Sequence, residues 1–173
     1  MQSIHRFFER LFALGAGLSM ALVFGIIFIN SLRRYTVGKS LEWGEELPIY
    51  LTVYGVMFGI GFAYLQNRHI RFTIVTDLLS DRLRRVLYTA GDGAVVLIGM
   101  SLTWSGIVFA GRRGDVEASG LIGSAKAMAE ASGIEGLVML GQMGTYQSAI
   151  AVGGIILTIA AALRFWAQIR EAK

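Results

Sequence analysis

Four long apolar runs, Leu11–Leu32, Leu47–Asn67, Val86–Gly111 and Gly136–Leu163, leave this chain of 173 residues few ways to fold. A helix crossing about 30 Å of hydrocarbon needs roughly 20 apolar residues, and each run is long enough. Inside lipid every backbone N–H and C=O must be satisfied within the structure, so an apolar run of this kind must be helical. Charged residues make up 16% of the chain, against about 25% in an ordinary soluble domain, and the mean hydropathy is +0.58. The expected fold class is an all-α membrane protein. Its four transmembrane helices form a single membrane domain over residues 1–173, with interfacial amphipathic helices beside them. The first run is too long for a signal peptide, whose apolar stretch is short and ends in a small-residue cleavage site, so it reads as a span.

The flanks suggest an orientation. Arg6 and Arg10 precede the first run, Arg68, Arg71, Arg82, Arg84 and Arg85 lie between the second and third, and Arg164, Arg170 and Lys173 follow the fourth. The other connections carry Arg33, Arg34 and Lys39, and Arg112, Arg113 and Lys126. Cytoplasmic loops hold the excess of Lys and Arg, so both termini and the second loop are expected inside. Tyr35, Trp43 and Tyr50 then fall at the outer boundary, and Tyr64, Tyr88, Phe165 and Trp166 at the inner one, as an aromatic belt requires. Within His69–Val86, Ile74, Val75, Leu78, Leu79, Leu83 and Val86 recur at three- and four-residue spacing among Arg71, Asp77, Asp81, Arg84 and Arg85. That pattern predicts an interfacial helix over about 69–85, with Arg68, His69, Arg71, Arg84 and Arg85 at the cytoplasmic headgroups. The Gly-, Ala- and Ser-rich stretch Arg112–Glu135 predicts a surface feature, with a short helix over Ala125–Ala131.

Little of the catalytic repertoire is present. With no cysteine, disulfides, thiolate metal sites and cysteine nucleophiles are excluded. The basic flanks suit anionic headgroups rather than nucleic acid. A haem between helices needs facing histidines inside the bundle, whereas His5 and His69 fall at the interface. No cofactor, metal site or catalytic residue is therefore expected. Asp92 is the one ionisable residue within a run, a functional candidate by position. It lies about 10 Å along the axis from Arg85 at roughly 1.5 Å per residue, close enough to the interface to reach water or an arginine of the interfacial segment. Gly55 and Gly59 form a small-xxx-small step that lets helix backbones approach in lipid, and Gly141, Gly144, Gly153 and Gly154 offer the same in the fourth run.

The densest charged cluster is Glu42, Glu45 and Glu46 beside Trp43, across a short turn from Arg33 and Arg34. Acidic residues here suit a helix N-terminus, and they could equally pair with basic groups of a partner. Three segments at this point, Arg33-Arg34-Tyr35, Ser40-Leu41-Glu42-Trp43-Gly44-Glu45-Glu46-Leu47 and Asn67-Arg68-His69-Ile70-Arg71-Phe72, resemble the signature of the small membrane subunit of tripartite ATP-independent periplasmic (TRAP) transporters, the DctQ-like family. The resemblance covers roughly Ile4 to Gly111.

It implies a non-enzymatic scaffold in the bacterial inner membrane. Such a subunit supports ion-coupled symport, usually driven by sodium, of an organic acid through a large membrane subunit supplied by a periplasmic binding protein. Arg33, Arg34, Trp43, Glu45 and Glu46 would then form the outer-interface motif that meets partners. Two other classes compete. A haem- or quinone-binding anchor of a redox enzyme needs the facing histidines this chain lacks, and a small autonomous transporter would use Asp92 as its coupling site.

Overall fold

The computed structural model describes residues 2–66 and 79–171. They form α1 (Gln2–Val37), α2 (Trp43–Leu65), α3 (Asp81–Arg113), α4 (Ile122–Ser132), a 3-10 helix (Glu135–Gly141) and α5 (Met143–Glu171). Four of these helices, α1, α2, α3 and α5, are long and apolar enough to cross a membrane, as the four runs require. Arg68, His69, Arg71 and most of the expected interfacial helix lie outside the described residues.

The helix ends depart from the ends of the apolar runs for physical reasons. At about 1.5 Å per residue, the 36 residues of α1 reach about 54 Å. Ile4 and Phe7, which precede the first apolar run, thus belong to the same helix. α1 ends where Gly38 takes φ 74°, a left-handed conformation that costs glycine nothing. α2 opens at Trp43, so Glu45 and Glu46 occupy its first turn and Pro48 falls in its second, one turn later than the apolar run suggests. Ser80 caps α3 by accepting from the Leu83 N–H at 3.4 Å. Asp81–Arg85 therefore extends the third spanning helix, although these residues were expected in the interfacial segment. The last span begins at Met143 and not at Gly136, because Glu135–Gly141 winds as a 3-10 helix.

Four helices lie side by side in the order α1, α2, α5, α3: α1 packs on α2, α2 on α5 and α5 on α3. Phe12 of α1, Tyr64 and Leu65 of α2, and Ile156, Ala160 and Ala161 of α5 form the core where three helices meet. The α3–α5 seam is built from small residues. A Cβ on Gly106 would come 2.8 Å from the Ala151 Cα, and one on Gly154 would come 2.7 Å from the Gly99 carbonyl oxygen. Backbones this close supply dispersion contacts where lipid offers no hydrophobic drive.

Between α3 and α5 the chain forms a cap. The Met143 N–H donates to the Val116 carbonyl at 2.8 Å, Gly144 N–H to Gly114 at 3.0 Å, and Ala118 N–H to Gly141 at 2.9 Å. Ala118, Leu121, Ala125 and Ala129 are buried beneath it, so the Ala-rich stretch is a packed helix, α4. The cap and the 38–42 connection share one end of the molecule, hereafter the cap end. The N-terminus of α1 and the C-terminus of α5 share the other, the tail end.

Candidate functional site

Two polar clusters fasten this row of helices, one at each end. At the tail end Asp92 of α3 is only 5% exposed and Arg164 of α5 only 7%. The Asp92 carboxylate accepts from the Tyr64 hydroxyl at 2.5 Å and from the Gln168 amide at 2.7 Å. Arg164 Nε stands 3.8 Å from Asp92 Oδ2. Its Nη1 donates to the Tyr64 carbonyl at 3.1 Å, and the guanidinium lies over the Tyr64 ring, 5.0 Å from the centroid. Thr89 donates to the Gln168 side-chain oxygen at 3.0 Å. Three helices, α2, α3 and α5, therefore converge on one carboxylate. A charge in this environment persists only when paired and hydrogen-bonded, and Asp92 meets both conditions.

Asp92 lies in the tail-end half of α3. Among the described residues its charged partner is Arg164 of the last helix. A signal existed, since Arg164 follows directly on the fourth apolar run at the same end of the membrane. Tyr64 and Gln168 carried none.

At the cap end Glu46 is the organising group. Its Oε1 accepts from the Tyr50 hydroxyl at 2.5 Å, and its Oε2 accepts from the Gly120 N–H at 2.7 Å. Tyr50 stacks on Tyr146 of α5 with centroids 4.2 Å apart. One turn deeper, Tyr54 donates to the Thr145 carbonyl at 2.5 Å. Gly120 admits the carboxylate because it lacks a side chain: a Cβ there would sit 2.7 Å from Glu46 Oε2. Glu46 thus ties α2 to the cap, through a contact that no spacing in the sequence announces.

The rest of the acidic motif divides differently. Glu45 is exposed and accepts from Ser40 Oγ at 2.6 Å. Trp43 is half-buried, and Arg33 and Arg34 are exposed. No ion pair joins either arginine to Glu42, Glu45 or Glu46 among the described residues. The 38–42 connection is held instead by Asn30, whose Oδ1 accepts from the Leu41 N–H at 2.7 Å. Of the glycine pair, a Cβ on Gly55 would meet the Ser19 Cβ at 3.0 Å, whereas Gly59 faces open space. Gly55 alone of the two lets α1 approach α2.

No group of three or more His, Asp or Glu able to hold a metal occurs among the described residues. What the site offers is surface. The edge helices α1 and α3 each bury only 11% of their most apolar window inside the chain. Leu14, Phe24 and Trp104 are each more than 70% exposed. Trp104 overhangs an apolar crease with Met100, Ile107, Ile155 and Ile159.

Residues 23–171 match the model of the family described as tripartite ATP-independent periplasmic transporters, DctQ component. The chain belongs to that family. The match runs through α5, well past Gly111, where the motif resemblance stops. A DctQ component is part of a transporter, not an enzyme, and this one is a multi-pass membrane protein.

Among relatives, the chain is 34% identical over 76 residues to the sialic acid TRAP transporter permease protein SiaT of Haemophilus influenzae strain 86-028NP. That stretch is 44% of this chain and 12% of the relative. It is 22% identical over 80 residues to a putative TRAP transporter small permease protein of H. influenzae strain ATCC 51907, covering 46% of this chain and 48% of the relative. The chain thus aligns with half or less of the length of the curated relatives it matches.

Proposed function

We propose that this chain is the static small-permease subunit of a TRAP transporter, a wall against which a large permease subunit moves solute. The observation that carries the reading is the open row of helices. α1 and α3 have apolar faces that nothing among the described residues covers, and lateral surface of that kind suits helix-to-helix assembly within a bilayer. Two further features support it. All four spans are continuous helices, whereas transporter substrate sites are commonly built from broken ones. The buried Asp92 is neutralised by Arg164 and hydrogen-bonded on both oxygens, which suits a structural role better than a coupling site.

On this reading the large subunit carries the solute, an organic acid, with symport driven by sodium, and a periplasmic protein delivers it. The chain sits in the bacterial inner membrane with both termini cytoplasmic, so the cap faces the periplasm. Arg33, Arg34, Trp43 and Glu45 form the outer rim towards headgroups and partners, and Glu46 holds the cap. Arg68, His69, Arg71, Arg84 and Arg85 meet the cytoplasmic headgroups.

Co-expression with the large permease subunit tests the assembly. A tagged chain should retain the large subunit through purification, and Trp104→Glu or Phe24→Glu on an edge should weaken retention. If neither edge matters, or if the chain transports solute alone in liposomes, the scaffold reading fails.

A further inference from the structure

A crease between α1 and α2 at the cap end, with a volume of about 540 Å³, takes no part in the clusters above. Its walls are mostly apolar, with Val23 and Ile27 on α1 and Pro48 and Ile49 on α2, while Thr52 turns its hydroxyl to the Pro48 carbonyl. The cap-end rim is polar, with Arg34 on one side and Ser40 and Glu45 on the other. From Val23 to Arg34 the helix rises about 16 Å at roughly 1.5 Å per residue. That is about half of a ~30 Å hydrocarbon layer, so the crease runs the depth of one leaflet. α1 and α2 are held together along it. Asn30 pins Leu41 there, and a Cβ on Gly44 would lie 2.9 Å from the Asn30 side chain.

The rim charges are opposite and held apart. Arg34 is exposed, and its guanidinium has no hydrogen bond or ion pair among the described residues. Glu45 has one carboxylate oxygen accepting from Ser40 Oγ and the other without a partner among the described residues. An apolar trough one leaflet deep, ending in one cation and one acceptor, complements a zwitterionic amphiphile. We propose that the crease binds a glycerophospholipid bearing a primary amine, with its phosphate on Arg34, its ammonium on Glu45 and an acyl chain along Val23 and Ile27.

Headgroup chemistry must supply the selectivity. The surrounding bilayer is as apolar as the trough, so an acyl chain gains little by entering it. A primary ammonium donates charge-assisted hydrogen bonds to a carboxylate, which a quaternary choline cannot do. An uncharged glycerol headgroup leaves Glu45 without a cation. The site requires only that α1 and α2 span a bilayer, whatever the chain does in transport.

The full chain, exchanged into nanodiscs holding equal parts of phosphatidylethanolamine, phosphatidylcholine and phosphatidylglycerol, tests this by native mass spectrometry of the retained lipid. Wild type should keep phosphatidylethanolamine at least fivefold over each of the others. Glu45→Gln should bring ethanolamine and choline lipids within twofold, Arg34→Gln should reduce all retained phospholipid, and Val23→Trp should fill the trough and empty the site. Both rim side chains are exposed, so circular dichroism should find their variants folded. Retention that ignores headgroup overturns the proposal, as does wild-type selectivity in Glu45→Gln and Arg34→Gln. So does a crosslink from an Ile49→Cys variant to another transporter subunit in native membranes, since a protein would then fill the crease.

Discussion

Breaking the buried pair of Asp92 and Arg164 from either side should be among the costliest polar substitutions in this protein. In Asp92→Asn, Arg164 remains 7% exposed with no carboxylate 3.8 Å away. At that separation the gross attraction is about 4 kcal/mol for an effective dielectric near 20. Asparagine keeps an acceptor for the Tyr64 hydroxyl, but its amide nitrogen then faces two donors, Gln168 Nε2 and the guanidinium. Breaking one side of a buried pair costs about 3–5 kcal/mol, whereas replacing both sides is often neutral. Asp92→Asn and Arg164→Gln are therefore expected to lose ~3 kcal/mol each. The double variant should recover at least ~1.5 kcal/mol of their sum, within the range of coupling energies for residues in contact. Reversible unfolding in mixed micelles, followed by circular dichroism, gives the cycle directly. Single losses below ~0.5 kcal/mol that simply add would refute the argument, because the pair would then be neither desolvated nor coupled.

Other outcomes follow from the same geometry. Glu46→Gln should lose about 1.5–3 kcal/mol, the range for a hydrogen bond to a charged group, and speed amide exchange at Gly120, while Glu45→Gln should leave stability unchanged; equal effects would refute the division between them. Gly106→Val should split α3 from α5, since the new Cβ meets the Ala151 backbone, and gel filtration with thermal unfolding should register a large loss. Gly59→Ala faces open space and should be neutral within ~0.5 kcal/mol, as ordinary surface changes are. In whole cells, a cysteine at the exposed Lys39 should react with an impermeant thiol reagent and one at the exposed Arg82 should not; the reverse labelling would invert the orientation.

How far these features could be read in advance depended on their range along the chain. The spans were legible because bilayer thickness imposes a length and an apolarity that a local window detects, and Asp92 stood out as the charge such a window should not contain. Helix ends were less legible. Asp81–Arg85 is polar enough to look interfacial, but Ser80 caps a helix that runs straight into the third span. Residues 136–141 are apolar enough to look like a span, yet they wind as a separate 3-10 turn beside α4. The contacts that fasten the molecule were the least legible. Asp92 with Arg164, and Glu46 with Gly120, lie 72 and 74 residues apart in the sequence, and only the lateral order α1, α2, α5, α3 brings them together. Near the cap the sequence shows only a dense cluster of glutamates across a short turn from Arg33 and Arg34. The structure satisfies Glu46 from Tyr50 and Gly120 and leaves Arg34 on the rim of a crease.

The central claim is that the chain contributes surface and anchoring rather than ionisable chemistry, and uptake by a transporter without the buried charge pair tests it most directly. Proteoliposomes holding the large permease subunit, the binding protein and the Asp92→Asn/Arg164→Gln form of this chain should take up solute at more than half the wild-type rate per assembled complex, and liposomes holding this chain alone should take up none. Abolished uptake in a fully assembled double variant, or uptake by this chain alone, would contradict the account and make the Asp92 cluster part of the transport machinery.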